Sequence, residues 1–438
     1  MTKKLYRKVV VLDSVVFFPE HRRRLEELAD QIEEYNTCGS EEEVLERCIG
    51  ADCIISCWVD ISRRVMTENP QLRTVAFWTH DYEHRIDHVF ARERGIYVPA
   101  IPDYGTDSVA ELVLIALLNT SWPGGTAAGL SESIAARIGD EVRLFRKNVR
   151  DTLDGRWLHE YIKTGQRLLT SPDQIPEETL KGLTVGVLDP GVLTPSLVRM
   201  LAAGFRMNVI YSLFDRAHSL HLGFRPVERL LKESDVLVYD SRTLPAEYRP
   251  LLAQQPYLAS VDVATLSGPR PALVGKTLGI IGLGRIGSRV AQIARQGFGM
   301  DVQYFSRTRK PALEDELGIR PASLADVMSS SDVISLHLPH HGADGFVSAD
   351  LIRQIPNGTM VVNASVGNVI ADERFLLKRF GAGELYGYLD VYRALPPRSE
   401  LRTLTDTVTA TYRLGWRTKS TVGLKTHKLL TKLSTPEW

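Results

Sequence analysis

The stretch from Gly275 to Lys310, GKTLGIIGLGRIGSRVAQIARQGFGMDVQYFSRTRK, leaves few folds open to the chain. Leu278–Ile281 is a short apolar run that suits a buried strand. Gly282-Leu283-Gly284-Arg285-Ile286-Gly287 supplies G-x-G-x-x-G, and Ser288–Gln296 continues as a helix. Each glycine has a mechanical role: Gly282 permits the tight strand-to-helix turn, Gly284 lets a pyrophosphate approach the backbone, and Gly287 lets helix and strand pack closely. The helix N-terminus then meets the phosphates. A G-x-G-x-x-G alone is weak evidence, but here a second strand, Asp301–Phe305, follows at the expected distance. The segment reads as a dinucleotide cradle.

The tip of that second strand discriminates between cofactors. An acidic residue there accepts hydrogen bonds from the ribose 2′-OH of NAD, whereas this chain has Ser306-Arg307-Thr308-Arg309-Lys310. Ser306 and Arg307 suit the 2′-phosphate of NADP better, with NAD still open. The alternative is that Arg307, Arg309 and Lys310 form only a solvated basic turn.

At 438 residues the chain exceeds one ordinary domain and should form two or three. Its 53 basic and 53 acidic residues leave no basic excess, which argues against nucleic acid or an anionic membrane as partner. There is no run long and apolar enough to span a bilayer, and the N-terminus turns polar too soon for a signal peptide, so a soluble cytoplasmic protein is expected. Cys38, Cys48, Cys53 and Cys57 crowd one stretch without a C-x-x-C pair or suitably spaced histidines. They read as reduced, packed thiols, with no metal site.

From Lys8 to Pro99 apolar runs alternate with amphipathic stretches: Val9–Leu12, Glu20–Glu33, Glu41–Cys48, Cys53–Trp58, Leu72–Phe77, Ile86–Arg94 and Ile96–Val98. This βαβ rhythm implies a parallel sheet covered by helices. A loop from Pro102 runs into a helix that Asp107 or Ser108 could cap and that should end near Ser121, before Pro123-Gly124-Gly125.

An internal repeat lies between this region and the cradle. Gly182–Ser212 aligns without a gap on Gly275–Phe305 at an offset of 93, with nine identities that include Gly186/Gly279, Gly204/Gly297, Phe205/Phe298 and Tyr211/Tyr304. Arg225-Pro226, Ser234-Asp235-Val236 and Pro256 continue the likeness to Arg320-Pro321, Ser331-Asp332-Val333 and Pro356. The positions of Gly282, Gly284 and Gly287 correspond to Asp189, Gly191 and Thr194, which leaves one glycine of three and puts a carboxylate where pyrophosphate would lie. This first copy should not bind a dinucleotide in the usual way. It is either structural, as an added layer or a dimer-like contact within one chain, or a repurposed ligand or partner pocket.

Several separate segments make the chain resemble the D-2-hydroxyacid dehydrogenase family. They are Ile86-Asp87 with Arg94-Gly95-Ile96, Tyr104-Gly105-Thr106 with Ser108-Val109-Ala110-Glu111, the Gly282–Gly287 loop, His337-Leu338-Pro339, Asn363 with Gly367, and Leu389-Asp390-Val391. The resemblance implies an α/β fold with a flavodoxin-like substrate domain and a Rossmann dinucleotide-binding domain, here with an additional degenerate Rossmann-like repeat. The expected boundaries are 1–121 with 411–438 for the substrate-type domain, 122–179 for a helical connector, 180–268 for the degenerate repeat and 269–410 for the NAD(P)-binding domain. It also implies cofactor contacts from Gly282, Gly284, Arg285, Ile286, Gly287, Ser306, Arg307, His337, Pro339 and Asp390. A small-molecule or peptide ligand in the interdomain cleft, and a homodimer, complete the expectation.

The family pattern breaks at its chemistry. The arginine that clamps a substrate carboxylate falls on Val366, the glutamate that holds the catalytic imidazole on Leu395, and the histidine that exchanges the proton on Arg413. Valine and leucine neither bind a carboxylate nor accept a proton, and arginine is never deprotonated in practice. Tyr82 likewise replaces a glycine of the substrate-domain loop. His340, His341, Tyr82 and Tyr412 could donate protons and Arg413 could hold an anion, or these residues could be surface and packing groups. Three readings follow: a reductase with altered chemistry, a catalytically silent relative used as scaffold, sensor or partner-binding module, and ordinary 2-hydroxyacid dehydrogenation.

Overall fold

The computed structural model describes residues 4–13, 15–35, 38–80, 82–101, 103–119, 181–188, 199–212, 224–239, 241–242, 244–254, 259–262, 273–339, 342–365, 369–391, 407–410, 415 and 419–436. The expected connector at 122–179 and the loop Asp189–Thr194 lie outside them. The described residues up to Gly105 and from Lys419 onward form one compact unit, and those from Thr106 to Gly415 the other.

In the first unit β1 (Tyr6–Val11), β2 (Ala29–Glu34), β3 (Cys53–Ser56) and β4 (Thr74–Phe77) make a parallel sheet in the order β2-β1-β3-β4. Bridges from Thr74 to Tyr97 and from Phe77 to Ala100 place a further extended segment beyond β4. The resulting order is that of flavodoxin-like sheets. Strands buried on both faces read as unbroken apolar runs, and all four residues of β3, including Cys53, are buried. The four cysteines are free thiols, three of them buried. The stretch Glu20–Glu33, continuous in its amphipathic pattern, divides into a helix, Pro19–Leu28, and the edge strand β2. No glycine or proline marks the break. The chain turns extended at Ala29 (φ −129°, ψ 143°) and pairs with β1 instead.

The C-terminal helix, Lys419–Ser434, closes this sheet. Trp78 Nε1 donates to Thr426 Oγ1 at 3.0 Å, and Tyr6 OH donates to the Leu433 carbonyl at 3.2 Å. Lys425 is buried with its ammonium 3.6 Å from the centre of the Trp78 ring and 4.2 Å from that of Tyr104. Burial pulls the Lys425 pKa down to about 8, against the opposing influence of Cys57 and Asp13. Tyr82 packs in this unit's core, its ring 5.6 Å from that of Phe77 and 5.5 Å from that of His88.

The second unit contains both copies of the repeat. In the first copy β5 (Thr184–Leu188), β6 (Asn208–Ser212), β7 (Val236–Tyr239) and β8 (Ala259–Asp262) run parallel in the order β6-β5-β7-β8. The second copy uses β9 (Thr277–Ile281), β10 (Asp301–Phe305), β11 (Arg320–Pro321), β12 (Val333–Leu336), β13 (Met360–Asn363), β14 (Tyr386–Leu389) and β15 (Val408–Ala410). Their order is β11-β10-β9-β12-β13-β14-β15, again parallel. This is the doubly wound arrangement of a dinucleotide-binding domain with one strand added at its edge.

The correspondence reaches individual atoms. β5 and β9, and likewise β6 and β10, span equivalent residues at the offset read from the sequence. A Cβ added to Gly279 would lie 2.2 Å from Ser331 Oγ, and one added to its mate Gly186 would lie 1.9 Å from Ser234 Oγ. Each serine donates its hydroxyl to the carbonyl four residues earlier, Ser331 to Val327 and Ser234 to Leu230. The aspartate after each serine accepts from the first strand's leading amide, Asp332 from Thr277 and Asp235 from Thr184.

The two copies pack through equivalent residues. A Cβ on Gly204 would stand 2.9 Å from Gly297 Cα, so these backbones touch directly. The rings of Phe205 and Phe298 meet edge to face at 5.8 Å, a geometry worth about 0.5–1.5 kcal/mol beyond area burial. Both sit in a single core with Leu201, Met207, Ile293 and Met300. Arg206, which follows this pair, has φ +57°, the only positive φ outside glycine among the described residues, and its mate is Gly299 at +64°. The left-handed conformation costs a side-chain-bearing residue about 1–2 kcal/mol. Arg206 sustains it while donating to Gln292 Oε1 at 2.7 Å.

Candidate dinucleotide site

The carboxyl ends of β9, β12, β13 and β14 converge on the glycine loop. Gly282 leaves β9 at φ +99°, and an added Cβ would lie 2.4 Å from the His337 carbonyl oxygen. A Cβ on Gly287 would lie 2.2 Å from the Gly282 carbonyl oxygen. A Cβ on Gly284 would meet nothing within 4 Å. Two glycines are therefore required by packing, and the third faces open space. The helix Arg285–Gln292 begins after Gly284 without a side-chain cap, and the exposed Gly284 and Arg285 and the half-buried Ile286 stand at its positive end. These residues fit a pyrophosphate: the backbone can be approached, and no side chain competes for the first-turn amides.

Around the loop the strand tips are laced together. His337 N donates to the Ile281 carbonyl at 2.8 Å, and its Nε2 lies 2.8 Å from Ser335 Oγ. His337 Nδ1 is buried without a hydrogen-bond partner. Burial holds the imidazole far down, at about 3, so His337 is neutral at physiological pH. Leu338 N donates to Ser365 Oγ at 2.9 Å, Ser365 N to Asn363 Oδ1 at 3.0 Å, and Asn363 Nδ2 to the Val391 carbonyl at 3.0 Å. Asp390 is buried at the end of β14 and accepts from Gly415 N at 3.2 Å. Pro339 is exposed at the rim. Ser335 and Ser365 carry no sequence signal of their own, since a serine at a strand end is common.

At the tip of β10, Ser306 is half-buried and Arg307 exposed, both beyond the loop as expected. Arg309 is committed elsewhere: it pairs with Glu314, which also accepts from Tyr304 OH. Those two partners, Arg309 first, hold the Glu314 carboxyl down at about 2. Lys310 joins the same group through its backbone amide, which donates to Tyr304 OH at 2.9 Å.

Val366, Leu395 and Arg413 lie outside the described residues, as do His340, His341 and Tyr412. Asp107, expected as a helix cap, is instead inside the helix Thr106–Asn119. Its carboxylate binds Arg289 at 2.8 Å and Lys181 at 2.6 Å. Burial works to raise its pKa, but Lys181 and then Arg289 outweigh burial and hold it low. Arg289 is buried, donates also to Gln292 at 3.0 Å, and keeps one nitrogen, Nη2, without a partner. At the carboxyl end of β7 in the first copy a cavity is lined by Tyr239, Ser241, Leu244, Arg249 and Leu252.

The sheet order and the glycine loop define a dinucleotide-binding protein of the doubly wound α/β class. Residues 262–412 match the NAD-binding domain of the D-isomer specific 2-hydroxyacid dehydrogenases. The match is confined to that domain, so the likeness to this family is that of residues 262–412. It is 40% identical over 128 residues to a glyoxylate reductase of Thermococcus kodakarensis, which covers 29% of this chain and 38% of that one. It is 36% identical over 149 residues to a D-3-phosphoglycerate dehydrogenase of Bacillus subtilis, covering 34% and 28% respectively. The chain thus spans well under half the length of these curated relatives. A Polaromonas protein described as a D-isomer specific 2-hydroxyacid dehydrogenase superposes with a TM-score of 0.57 at 21% identity, covering 98% of this chain and 95% of the other. That likeness shows the fold. Among the described residues no helix is long and apolar enough to cross a membrane.

Proposed function

We propose that residues 269–410 bind NADP(H) in preference to NAD(H) and that the chain does not turn over ordinary 2-keto acids. The open space in front of Gly284, at an uncapped helix N-terminus, carries the binding half of this reading. When bound there, a nicotinamide dinucleotide supplies hydride chemistry. Gly282, Gly284 and Gly287 admit its pyrophosphate, Arg285 and Ile286 flank it, and Ser306 and Arg307 meet its ribose phosphate. His337, Pro339 and Asp390 edge the strand-end side of the site. The neutral imidazole of His337 would add no positive charge to that side of the site.

The catalytic half rests on residue identity. Reduction of a 2-keto acid needs a positive clamp for the carboxylate and a proton donor near the oxygen, and Val366, Leu395 and Arg413 supply no titratable pair at the family's positions. Losing one positioned proton donor costs about 10²–10⁴-fold, which leaves glyoxylate, pyruvate and hydroxypyruvate near background. Two uses of the bound cofactor are compatible with this: reduction of a compound without that carboxylate clamp, or a silent scaffold or sensor.

Cofactor titration and turnover test the reading. NADP(H) should bind more tightly than NAD(H), and Arg307→Ala should remove about tenfold of the NADP(H) affinity alone, the worth of one charge-assisted contact. Equal affinities left unchanged by the substitution would remove the preference. Turnover of a panel of 2-keto acids, followed at the reduced-nicotinamide absorbance, should stay at background. Brisk turnover abolished by Arg413→Ala would show a working dehydrogenase.

A further inference from the structure

We infer that residues 181–262 act as a built-in second subunit: they occupy the face of the NAD-binding domain around Gln292–Phe298, and the chain does not pair with another copy of itself through that face. Where two copies of one fold are related by a twofold axis, residues on the axis meet their own equivalents. Gly204 meets Gly297, and Phe205 meets Phe298, each at the offset that relates the copies. The two wide helical turns that carry them, Arg199–Gly204 and Ile293–Gly297, are themselves equivalents. This is the isologous geometry of a homodimer, realised inside one chain.

The polar ties around that axis are not symmetric, and the asymmetry selects the intrachain partner. Arg206 donates to Gln292, but the mate of Arg206 is Gly299 and the mate of Gln292 is Arg199. A contact between two second copies would set glycine opposite Gln292 and lose the bond. Lys181, whose mate is Val274, binds Asp107 through its ammonium and Glu111 through its backbone amide. Asp107 in turn holds Arg289, buried beside the same junction. Arg206, Lys181, Asp107 and Arg289 thus form a clasp that needs first-copy side chains and that two second copies could not reproduce. Arg206 keeps its left-handed backbone where the second copy uses glycine.

Cysteine pairing in the full chain tests the inference. Phe205→Cys with Phe298→Cys should close a disulfide within one chain on mild oxidation, seen as a faster non-reduced band and a linked peptide pair by mass spectrometry. Phe298→Cys alone should give no covalent dimer. A covalent dimer from the single variant, or no intrachain link from the double variant in its folded state, would overturn the proposal. Because both substitutions remove a core ring, the wild-type chain supplies an independent reading by hydrogen exchange over a dilution series. Protection of the Gln292–Phe298 amides should not change with concentration. Loss of that protection on dilution would mean that a second chain covers this face.

Discussion

The two copies of the nucleotide fold share a skeleton and differ at its functional edge. Both place a glycine against a serine in the first strand, both anchor that strand's first amide on an aspartate, and both carry a wide helical turn before the second strand. The second has Gly282, Gly284 and Gly287 together before an open helix start, and the sequence of the first has Asp189, Gly191 and Thr194 at those positions. The lesson concerns which contacts a duplicated fold must keep. Gly186 and Gly279 are fixed by packing, since a methyl would collide with a neighbouring serine in either copy. Of the loop glycines, Gly282 and Gly287 are held by packing as well, whereas Gly284 is fixed only by what must approach it.

The largest expected difference between the copies is in ligand binding. Gly284→Val should leave the melting temperature unchanged, because its Cβ meets nothing, yet lower NADP(H) affinity by about 100-fold, the cost of roughly two lost backbone contacts to phosphate. Gly191→Val should leave NADP(H) affinity unchanged in a calorimetric titration. Comparable losses from both would mean that the first copy also binds nucleotide.

Packing should treat the copies alike. Gly186→Ala and Gly279→Ala should each destabilise by about 1–3 kcal/mol in denaturant unfolding, the usual cost of overpacking a filled core. A neutral Gly186→Ala beside a costly Gly279→Ala would break the equivalence and mark the first copy as loosely packed.

A smaller effect separates them in acid. The Glu314 carboxyl, held down at about 2 by Arg309 and Tyr304, contributes stability that is present above the unfolded value and is lost as pH falls through about 2. Tyr211, the mate of Tyr304, instead rests edge-on against Phe224 at 6.2 Å. Glu314→Gln should therefore lower the stability of the second copy near neutrality and flatten the acid limb of its curve, as read by denaturant unfolding at a series of pH values. An unchanged acid limb would remove this contrast.

The smallest effect is expected at Arg206. Arg206→Gly relieves a left-handed backbone worth about 1 kcal/mol and removes a hydrogen bond of similar worth, so the net change should be within about 0.5 kcal/mol. Gln292→Ala should cost more, because it also removes one of the two acceptors named for the buried Arg289. A strongly destabilising Arg206→Gly would show that the clasp outweighs the strain.

What could be read in advance follows from the range of the interactions. The cradle and the repeat were legible because their signals are local: glycine spacing, a strand before and a helix after, and an ungapped offset that survives as the identical spans of β6 and β10. The end of the helix at Leu28 was not, since nothing in Ala29–Glu34 stops a helix except the edge of β1 waiting to pair with it. Asp107 has the look of a cap in sequence, and only the arrival of Arg289 and Lys181 from far along the chain reassigns its carboxylate. The same holds for Arg206, whose neighbours in sequence give no hint of a left-handed backbone. The positions that the family pattern assigns to catalysis, Val366, Leu395 and Arg413, fall outside the described residues.

The meeting of Gly204 with Gly297 also has a consequence for dilution. Two separate subunits joined by such a face come apart once their concentration falls below the dissociation constant. Here Asp262 and Leu273, the last described residue of one copy and the first of the next, are only eleven positions apart in the chain. A tether that short sets an effective concentration of about millimolar for the two faces, whatever the bulk concentration. The folded arrangement of the NAD-binding domain is then independent of how much protein is present, and scarcity carries no penalty in stability.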